Sequence, residues 1–332
     1  YMTSYNDYLS NIDKVASQID FVGKVLEITS IHVKDSNTPI SIEDRFTYDH
    51  TGRLLTQVQS IGSTEELIVN NHYDELGQLE NKKVGGIAAS NPEQSVGLQT
   101  VDYSYNIRGW LKTINNDDNS IADNDLFNFE IRYNDPTTGI ALFNGNISET
   151  FWETAKDNNL RGYDYSYDAL NRIKLANYHG EIYLPGQDED YSLIAASDTG
   201  GIMYDKNGNI TRLTRMGLQE ANNEIGVIDD LIYDYAPKSN QLVAVNDNAT
   251  DDGFKDGNSG ENDYLYDING NMTQDLNKGI TDITYNHLNL PTKITFYNND
   301  FTQNGVAGVI DYIYDANGTK IEKIVTTDTG AY

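Results

Sequence analysis

The chain has 332 residues, with 24 Tyr against 9 Phe and 2 Trp, 27 Gly, 6 Pro and no Cys. This composition suits strands and tight turns better than helices, and the missing Cys excludes disulfide frameworks, thiolate metal sites and Cys nucleophiles. A formal charge of −28 is spread along the whole sequence, which argues against nucleic acid or an anionic membrane as a partner.

Taken in chain order, Tyr1 to Val15 shows neither the basic nor the apolar part of a secretory leader and reads as internal sequence. No apolar run reaches the ~18 residues of a membrane span, so membrane insertion is not expected. Residues 1–47 read as a degenerate leading repeat around Asp20-Phe21-Val22-Gly23-Lys24-Val25, with Phe21 in an aromatic place. From there Tyr followed by Asp or Asn recurs at Tyr48, Tyr73, Tyr105, Tyr133, Tyr167, Tyr204, Tyr233, Tyr266, Tyr285 and Tyr314.

Aligned on one another, the copies define a unit: an alternating strand, Tyr-Asp, two free positions, Gly, one free position and an aliphatic residue. Tyr48-Asp49-His50-Thr51-Gly52-Arg53-Leu54 and Tyr204-Asp205-Lys206-Asn207-Gly208-Asn209-Ile210 are examples. The Gly place holds Gly52, Gly77, Gly109, Gly208, Gly270 and Gly318, and Asn171 and Asn289 elsewhere. Gly and Asn tolerate positive φ, so this place is expected to be left-handed. The place after Tyr holds Asp49, Asp74, Asp168, Asp205, Asp267 and Asp315, or Asn in other copies. An acceptor that need not be charged points to an Asx bond to backbone and away from a catalytic carboxylate.

Asp opening a type I turn, with a left-handed residue three places on, predicts a hairpin loop closed by a G1 bulge. Tyr48 then faces Leu54. Tyr73 with Leu79, Tyr105 with Leu111, Tyr167 with Ile173, Tyr204 with Ile210 and Tyr266 with Met272 repeat the pair. Entering strands such as Asp102-Tyr103-Ser104-Tyr105, Asp164-Tyr165-Ser166-Tyr167 and Asp311-Tyr312-Ile313-Tyr314 alternate with period 2 and place both tyrosines on one face. The fold class expected is all-β, tandem antiparallel β-hairpins whose long sheet must coil.

Residues 1–332 are read as a single array, with repeats over 48–324, inserts at 134–162 and 246–263, small-residue loops at 85–99 and 185–200, and a tail at 325–332. The five His show no ligand spacing, and no nucleophile elbow, phosphate loop or dinucleotide fingerprint is present. The acidic insert, read as an EF-hand from Asn248, places Thr250, Asp252 and Gly253 well but puts Ser259 where the bidentate Glu belongs. Neither a metal site nor a cofactor is expected, and no catalytic residue is nominated.

The tandem Tyr-Asp-x-x-Gly-x-Leu unit resembles the Rhs or YD-repeat family from about Asp20 to Ile324. The phrases Gly109-Trp110-Leu111-Lys112, Tyr133-Asn134-Asp135-Pro136, Ala141-Leu142-Phe143-Asn144-Gly145-Asn146-Ile147-Ser148 and Tyr285-Asn286-His287-Leu288-Asn289-Leu290-Pro291 look like its Bacteroidetes branch. The resemblance implies a sheet spiralling into the wall of a hollow shell, as in toxin complex C components, polymorphic Rhs toxins and teneurins. In the toxin members the shell encloses a C-terminal effector, which a core segment cleaves free. No such core segment and no effector are read after Ile324, so neither self-cleavage nor toxicity is carried over. Known shells use more repeats, so an arc of wall is expected.

The function expected on that basis is a non-enzymatic shell or scaffold segment of a secreted or cell-surface protein. Its partners would be an encapsulated effector or the remainder of the same polypeptide, with secretion machinery or surface glycans as further contacts. A carbohydrate-binding or adhesive surface protein is the alternative, because a regular Tyr ladder can stack on sugar rings.

Overall fold

The computed structural model describes residues 2–6, 12–33, 38–87, 89, 95–115, 125–180, 189–194, 201–258, 260, 262–297, 307–327 and 330–331. Ser259, Glu261 and most of the 185–200 loop fall outside the described residues. Two compact units are present: Tyr1–Arg132 with Thr150–Leu160, and Tyr133–Glu149 with Arg161–Tyr332.

The first unit contains β1 (Met2–Asn6), β2 (Ile12–Ile19), β3 (Val25–Val33), β4 (Ile40–Tyr48), β5 (Leu54–Ile61), β6 (Thr64–Tyr73), β7 (Leu79–Val84), β8 (Gln99–Tyr105), β9 (Leu111–Ile114) and β10 (Phe127–Arg132). Each strand pairs antiparallel with the next. Leu67, wholly buried on β6, is its deepest apolar side chain. The next strand, β11 (Glu149–Thr154), contributes to both units.

The second unit contains β12 (Arg161–Tyr167), β13 (Ile173–Gly180), β14 (Leu193–Ile194), β15 (Met203–Tyr204), β16 (Ile210–Gln219), β17 (Glu224–Tyr235) and β18 (Leu242–Asp247). These pair antiparallel in sequence, except that β14 and β15 both pair with β16. A seven-stranded sheet follows: β19 (Tyr264–Tyr266), β20 (Met272–Asp275), β21 (Ile280–Tyr285), β22 (Pro291–Phe296), β23 (Gly308–Tyr314), β24 (Lys320–Thr327) and β25 (Gly330–Ala331). Leu231, Val245 and Tyr264 form a buried cluster, against which Tyr233, Phe254 and Met272 pack.

The chain is therefore all-β, built of tandem antiparallel hairpins. Among the described residues the one helical element is a 3-10 turn at Leu276–Lys278. No described helix is long and apolar enough to cross a membrane.

Three repeat copies are placed differently from the sequence reading. Ile19, not Phe21, holds the aromatic place of the leading repeat, because Ile19 pairs with Val25 across the bulge while Phe21 sits in the turn. Tyr233 pairs with Val245 inside β17 and β18, and Tyr235 takes the repeat position opposite Leu242. Ala236 follows Tyr235 and has no side-chain acceptor, so this turn closes through Ala236 N–H to Gln241 O and puts Lys238 at φ 60°. Tyr133 opens no tight turn; its carbonyl accepts from Leu142 N, closing a longer loop.

Candidate functional site

The repeated turn and the tyrosine before it are where this sequence places its polar chemistry. At Asp49 the backbone N–H donates to Arg53 O and the carbonyl accepts from Gly52 N, while Oδ1 accepts from Thr51 N and Arg53 N, each at 2.9 Å. The same side-chain oxygen serves two turn amides at Asp168, Asp205, Asp267 and Asp315, and at Asn106 and Asn286. Asp74 accepts from Gln78 N. The left-handed place has φ between 76° and 93° at Gly52, Gly77, Gly109, Gly208, Gly270 and Gly318, and 62° and 57° at Asn171 and Asn289.

The carboxyls of Asp49, Asp168, Asp205, Asp267 and Asp315, each half-buried, are held below the ordinary carboxylate range. At Asp168 and Asp315 the leading cause is the bond from the backbone N–H of Arg172 or Thr319. At Asp267 the Asn271 side chain leads. At Asp49 and Asp205 desolvation pushes upward and the hydrogen bonds outweigh it.

Each repeat tyrosine faces its aliphatic partner across the bulge, Tyr48 with Leu54, Tyr73 with Leu79 and Tyr105 with Leu111 in the first unit. In the second, Tyr167 faces Ile173, Tyr204 faces Ile210 and Tyr266 faces Met272, whereas Tyr314 departs from the pattern and faces Lys320. The hydroxyls do something the sequence reading missed: they reach the preceding hairpin. Tyr48 donates to Val25 O at 2.8 Å, Tyr73 to Leu54 O at 3.0 Å and Tyr105 to Leu79 O at 3.0 Å. Tyr167 donates to Ile147 O, Tyr204 to Ile173 O, Tyr235 to Ile210 O, Tyr285 to Met272 O and Tyr314 to Pro291 O.

The acceptor is usually the residue that faces the previous repeat's tyrosine, so intra-repeat pair and inter-repeat bond alternate along the array. Burial raises the phenol pKa at Tyr105, Tyr167, Tyr204, Tyr235, Tyr285 and Tyr314, which keeps these groups protonated as donors. We predict that Tyr73→Phe, which keeps the ring and deletes the bond, lowers stability by about 1 kcal/mol in urea unfolding. An unchanged midpoint would show that the bond contributes nothing.

The residue after the left-handed place reaches over the next turn. Lys24 lies 5.5 Å from the Tyr48 ring centre, Arg53 4.5 Å from Tyr73, and Arg172 4.3 Å from Tyr204. Arg53 and Arg172 also clamp their own turn through Nε bonds to Asp49 and Asp168. A methyl group built on Gly52 would lie 2.5 Å from Lys24 Nζ, and one on Gly77 would lie 2.6 Å from Arg53. Glycine there admits both the backbone angle and the covering side chain. Where Asn replaces it, the covering residue is also Asn: Asn271 Nδ2 donates to Asn289 Oδ1 at 2.9 Å. Asn171 Oδ1 accepts from Asn144 and Asn146.

The insert at 134–162 places two structural groups that the sequence did not nominate. Its Asn144-Gly145-Asn146-Ile147 stretch stands in for a preceding turn, giving Asn171 its lateral bonds and Tyr167 its carbonyl. Glu149 is fully buried and accepts from the backbone N–H groups of Thr137, Thr138 and Gly139 and from the Thr138 hydroxyl, at 2.6 to 2.9 Å.

In the acidic insert the carboxylates serve the backbone. Asp263, 2% exposed, accepts from Val245 N at 2.7 Å and from Asn258 Nδ2. Asp247 Oδ1 accepts from Asp230 N and Ala249 N, whereas its Oδ2 and Asp256 Oδ1 are buried without a hydrogen-bond partner. Burial pushes the Asp247 carboxyl up, and the charges of Asp229 and Asp230 add to that. The cost of its buried charge is therefore greatest above the raised pKa and disappears as pH falls through it. Asp247→Asn is expected to gain about 1 kcal/mol at neutral pH and nothing below the ordinary Asp range; thermal melts across that interval check it. Among the described residues no group of three or more His, Asp or Glu is arranged to hold a metal ion.

These features define, within each unit, an array of hairpin repeats in which most turns are tied to a neighbouring turn. Among solved structures, the crystal structure of TcdB2-TccC3 matches with a TM-score of 0.57 and 16% sequence identity, over 95% of this chain and 16% of that one. The chain thus spans a small part of that structure, and the likeness is one of fold. A porin-like protein from Bacteroides uniformis ATCC 8492 matches over 98% of this chain and 92% of its own at 7% identity, but its TM-score of 0.21 carries no argument. No family model matches the sequence, and no curated protein matches it.

Proposed function

We propose that this chain is a structural wall segment of an Rhs-type extracellular protein, enclosing or presenting another part of the same polypeptide and performing no catalysis itself. The observation that carries the reading is the use of the repeat's polar groups: the Tyr hydroxyl, the Asx oxygen and the covering cation or amide all bond within the array. A surface that spends its chemistry on its own continuity is suited to be a barrier. The shared fold with TcdB2-TccC3 supports the same reading.

The carbohydrate-binding alternative draws less support from the geometry. Tyr48, Tyr73 and Tyr204 each carry a basic side chain over the ring and a hydroxyl committed to backbone.

Protease protection in the intact gene product tests the wall reading. A segment enclosed by the wall should resist a protease that digests the same segment expressed alone. Equal digestion in the two settings would overturn it, and binding of these repeats on a glycan array would favour the alternative.

A further inference from the structure

We propose that Asn144 is a self-modification site, where the backbone nitrogen of Gly145 displaces the side-chain amide, and that the matching Asn-Gly pairs of the repeated turns are held back from this reaction. Any Asn-Gly pair can react in this way, because glycine has no side chain to hinder the approach of its nitrogen. The rate is decided by whether that nitrogen is free and by where the amide carbon is held.

Four Asn-Gly pairs lie in the described residues, at Asn144, Asn207, Asn269 and Asn317. All four asparagines are exposed, and all four glycines are left-handed, with φ between 86° and 97°. Residues 144–147 and 207–210 share the sequence Asn-Gly-Asn-Ile. Asn144 and Asn207 also donate alike through Nδ2, to Asn171 Oδ1 and Asn240 Oδ1. Local sequence and exposure therefore do not separate the pairs.

Their backbone bonds do. In the repeated turns the N–H groups of Gly208, Gly270 and Gly318 donate to the carbonyls of Asp205, Asp267 and Asp315, at 3.1 to 3.2 Å. The amide after each glycine is taken by Oδ1 of the same aspartate. In the insert, Leu142 stands three residues before the glycine, where the repeated turns have aspartate. It has no side-chain acceptor, and its own N–H donates to Tyr133 O. The Gly145 N–H has no partner among the described residues, and Asn146 N donates to Asn144 Oδ1 at 3.0 Å. That bond holds the Asn144 carboxamide against the Gly145 peptide and draws electron density from Cγ. Leucine in place of aspartate thus leaves the nucleophile free and seats the electrophile beside it.

In the reaction, hydroxide takes the Gly145 proton and the nitrogen lone pair forms a bond to Asn144 Cγ. The Cγ–Nδ2 bond breaks, and Nδ2 leaves as ammonia with a proton from water, which regenerates hydroxide. Water then opens the five-membered imide at either carbonyl, giving aspartate or isoaspartate. Both products have lost the Nδ2 donor to Asn171. Isoaspartate also lengthens the main chain just before Ile147, whose carbonyl accepts the Tyr167 hydroxyl. Modification therefore loosens the insert from the repeat that follows it. The inference uses local geometry alone and stands or falls separately from the wall reading.

Peptide mapping by mass spectrometry, on the whole chain held folded at mildly alkaline pH, tests it. Asn144 is expected to convert roughly tenfold faster than Asn207, the rate equivalent of the hydrogen bond that Gly208 must first break. In concentrated urea the turn bonds are gone and the two identical phrases should convert at equal rates. The product at Asn144 should contain isoaspartate as well as aspartate, since only the imide route yields both. Equal rates in the folded chain, faster conversion at Asn207, a ratio that urea leaves unchanged, or aspartate as the sole product would each overturn the proposal.

Discussion

Glu149→Ala is expected to cost about 3–5 kcal/mol of folding stability, because it leaves three backbone amides and a hydroxyl, all turned inward onto this buried carboxylate, without their acceptor. The loop of Thr137, Thr138 and Gly139 wraps a carboxylate that is 0% exposed. Desolvation pushes this carboxyl up, but the bonds from Gly139, Thr137 and Thr138 outweigh it and lower its pKa. The sign of the pH dependence follows. A carboxyl lowered on folding contributes fully above its unfolded value, near 4.5, and loses that contribution as pH falls through its folded value. The wild type should therefore weaken relative to Glu149→Ala on acidification, and the two stabilities should converge. Glu149→Gln, which keeps one acceptor oxygen, should fall between them at neutral pH. Urea unfolding from neutral pH down into the acid range reads all three, and a wild-type to alanine gap constant over that range would remove the carboxylate from the explanation.

How much of this was legible in the sequence depends on distance along the chain. Within one repeat, Tyr48, Asp49, Gly52 and Leu54 are close enough for turn chemistry and strand period to fix their relation. The inter-repeat bonds were not read, although a signal existed: a tyrosine and not a phenylalanine stands before nearly every turn, which packing alone does not require. The Asn-for-Gly exchange was read as tolerance of positive φ. That is half the reason, since Asn289 and Asn171 also accept bonds from neighbouring turns.

Phe21 and Tyr233 were placed by motif letters, and register decided otherwise: the bulge fixes which residue faces which, and a match one or two places off is invisible in composition. Glu149, Asp229 and Asp263 were hidden among 51 acidic residues, because nothing local distinguishes a buried carboxylate from a solvated one. Their donors come from segments that only folding brings close.

Asp229 supplies the other large expected effect. Its Oδ1 accepts from Phe254 N at 2.6 Å and its Oδ2 from Arg215 Nε at 2.5 Å, while the residue is 2% exposed. The loop carrying Phe254 into the Leu231, Val245 and Tyr264 cluster rests on this carboxylate. Asp229→Ala should cost about 2–3 kcal/mol, since it leaves the Phe254 amide without its acceptor. Asp229→Asn should cost only about 1–2 kcal/mol: the amide oxygen still serves Phe254, and Arg215, half exposed, turns to water. Gly253 makes the same point from the opposite side, because a methyl group there would lie 2.0 Å from Asp229 Oδ1 and 2.9 Å from Ile228 O. Gly253→Ala must displace the loop from the carboxylate, so combining it with Asp229→Ala should cost less than the two changes added together. Hydrogen exchange at the Phe254 amide together with urea unfolding checks the set. If Asp229→Ala leaves that amide protected and the midpoint unchanged, the loop is held by its phenylalanine alone.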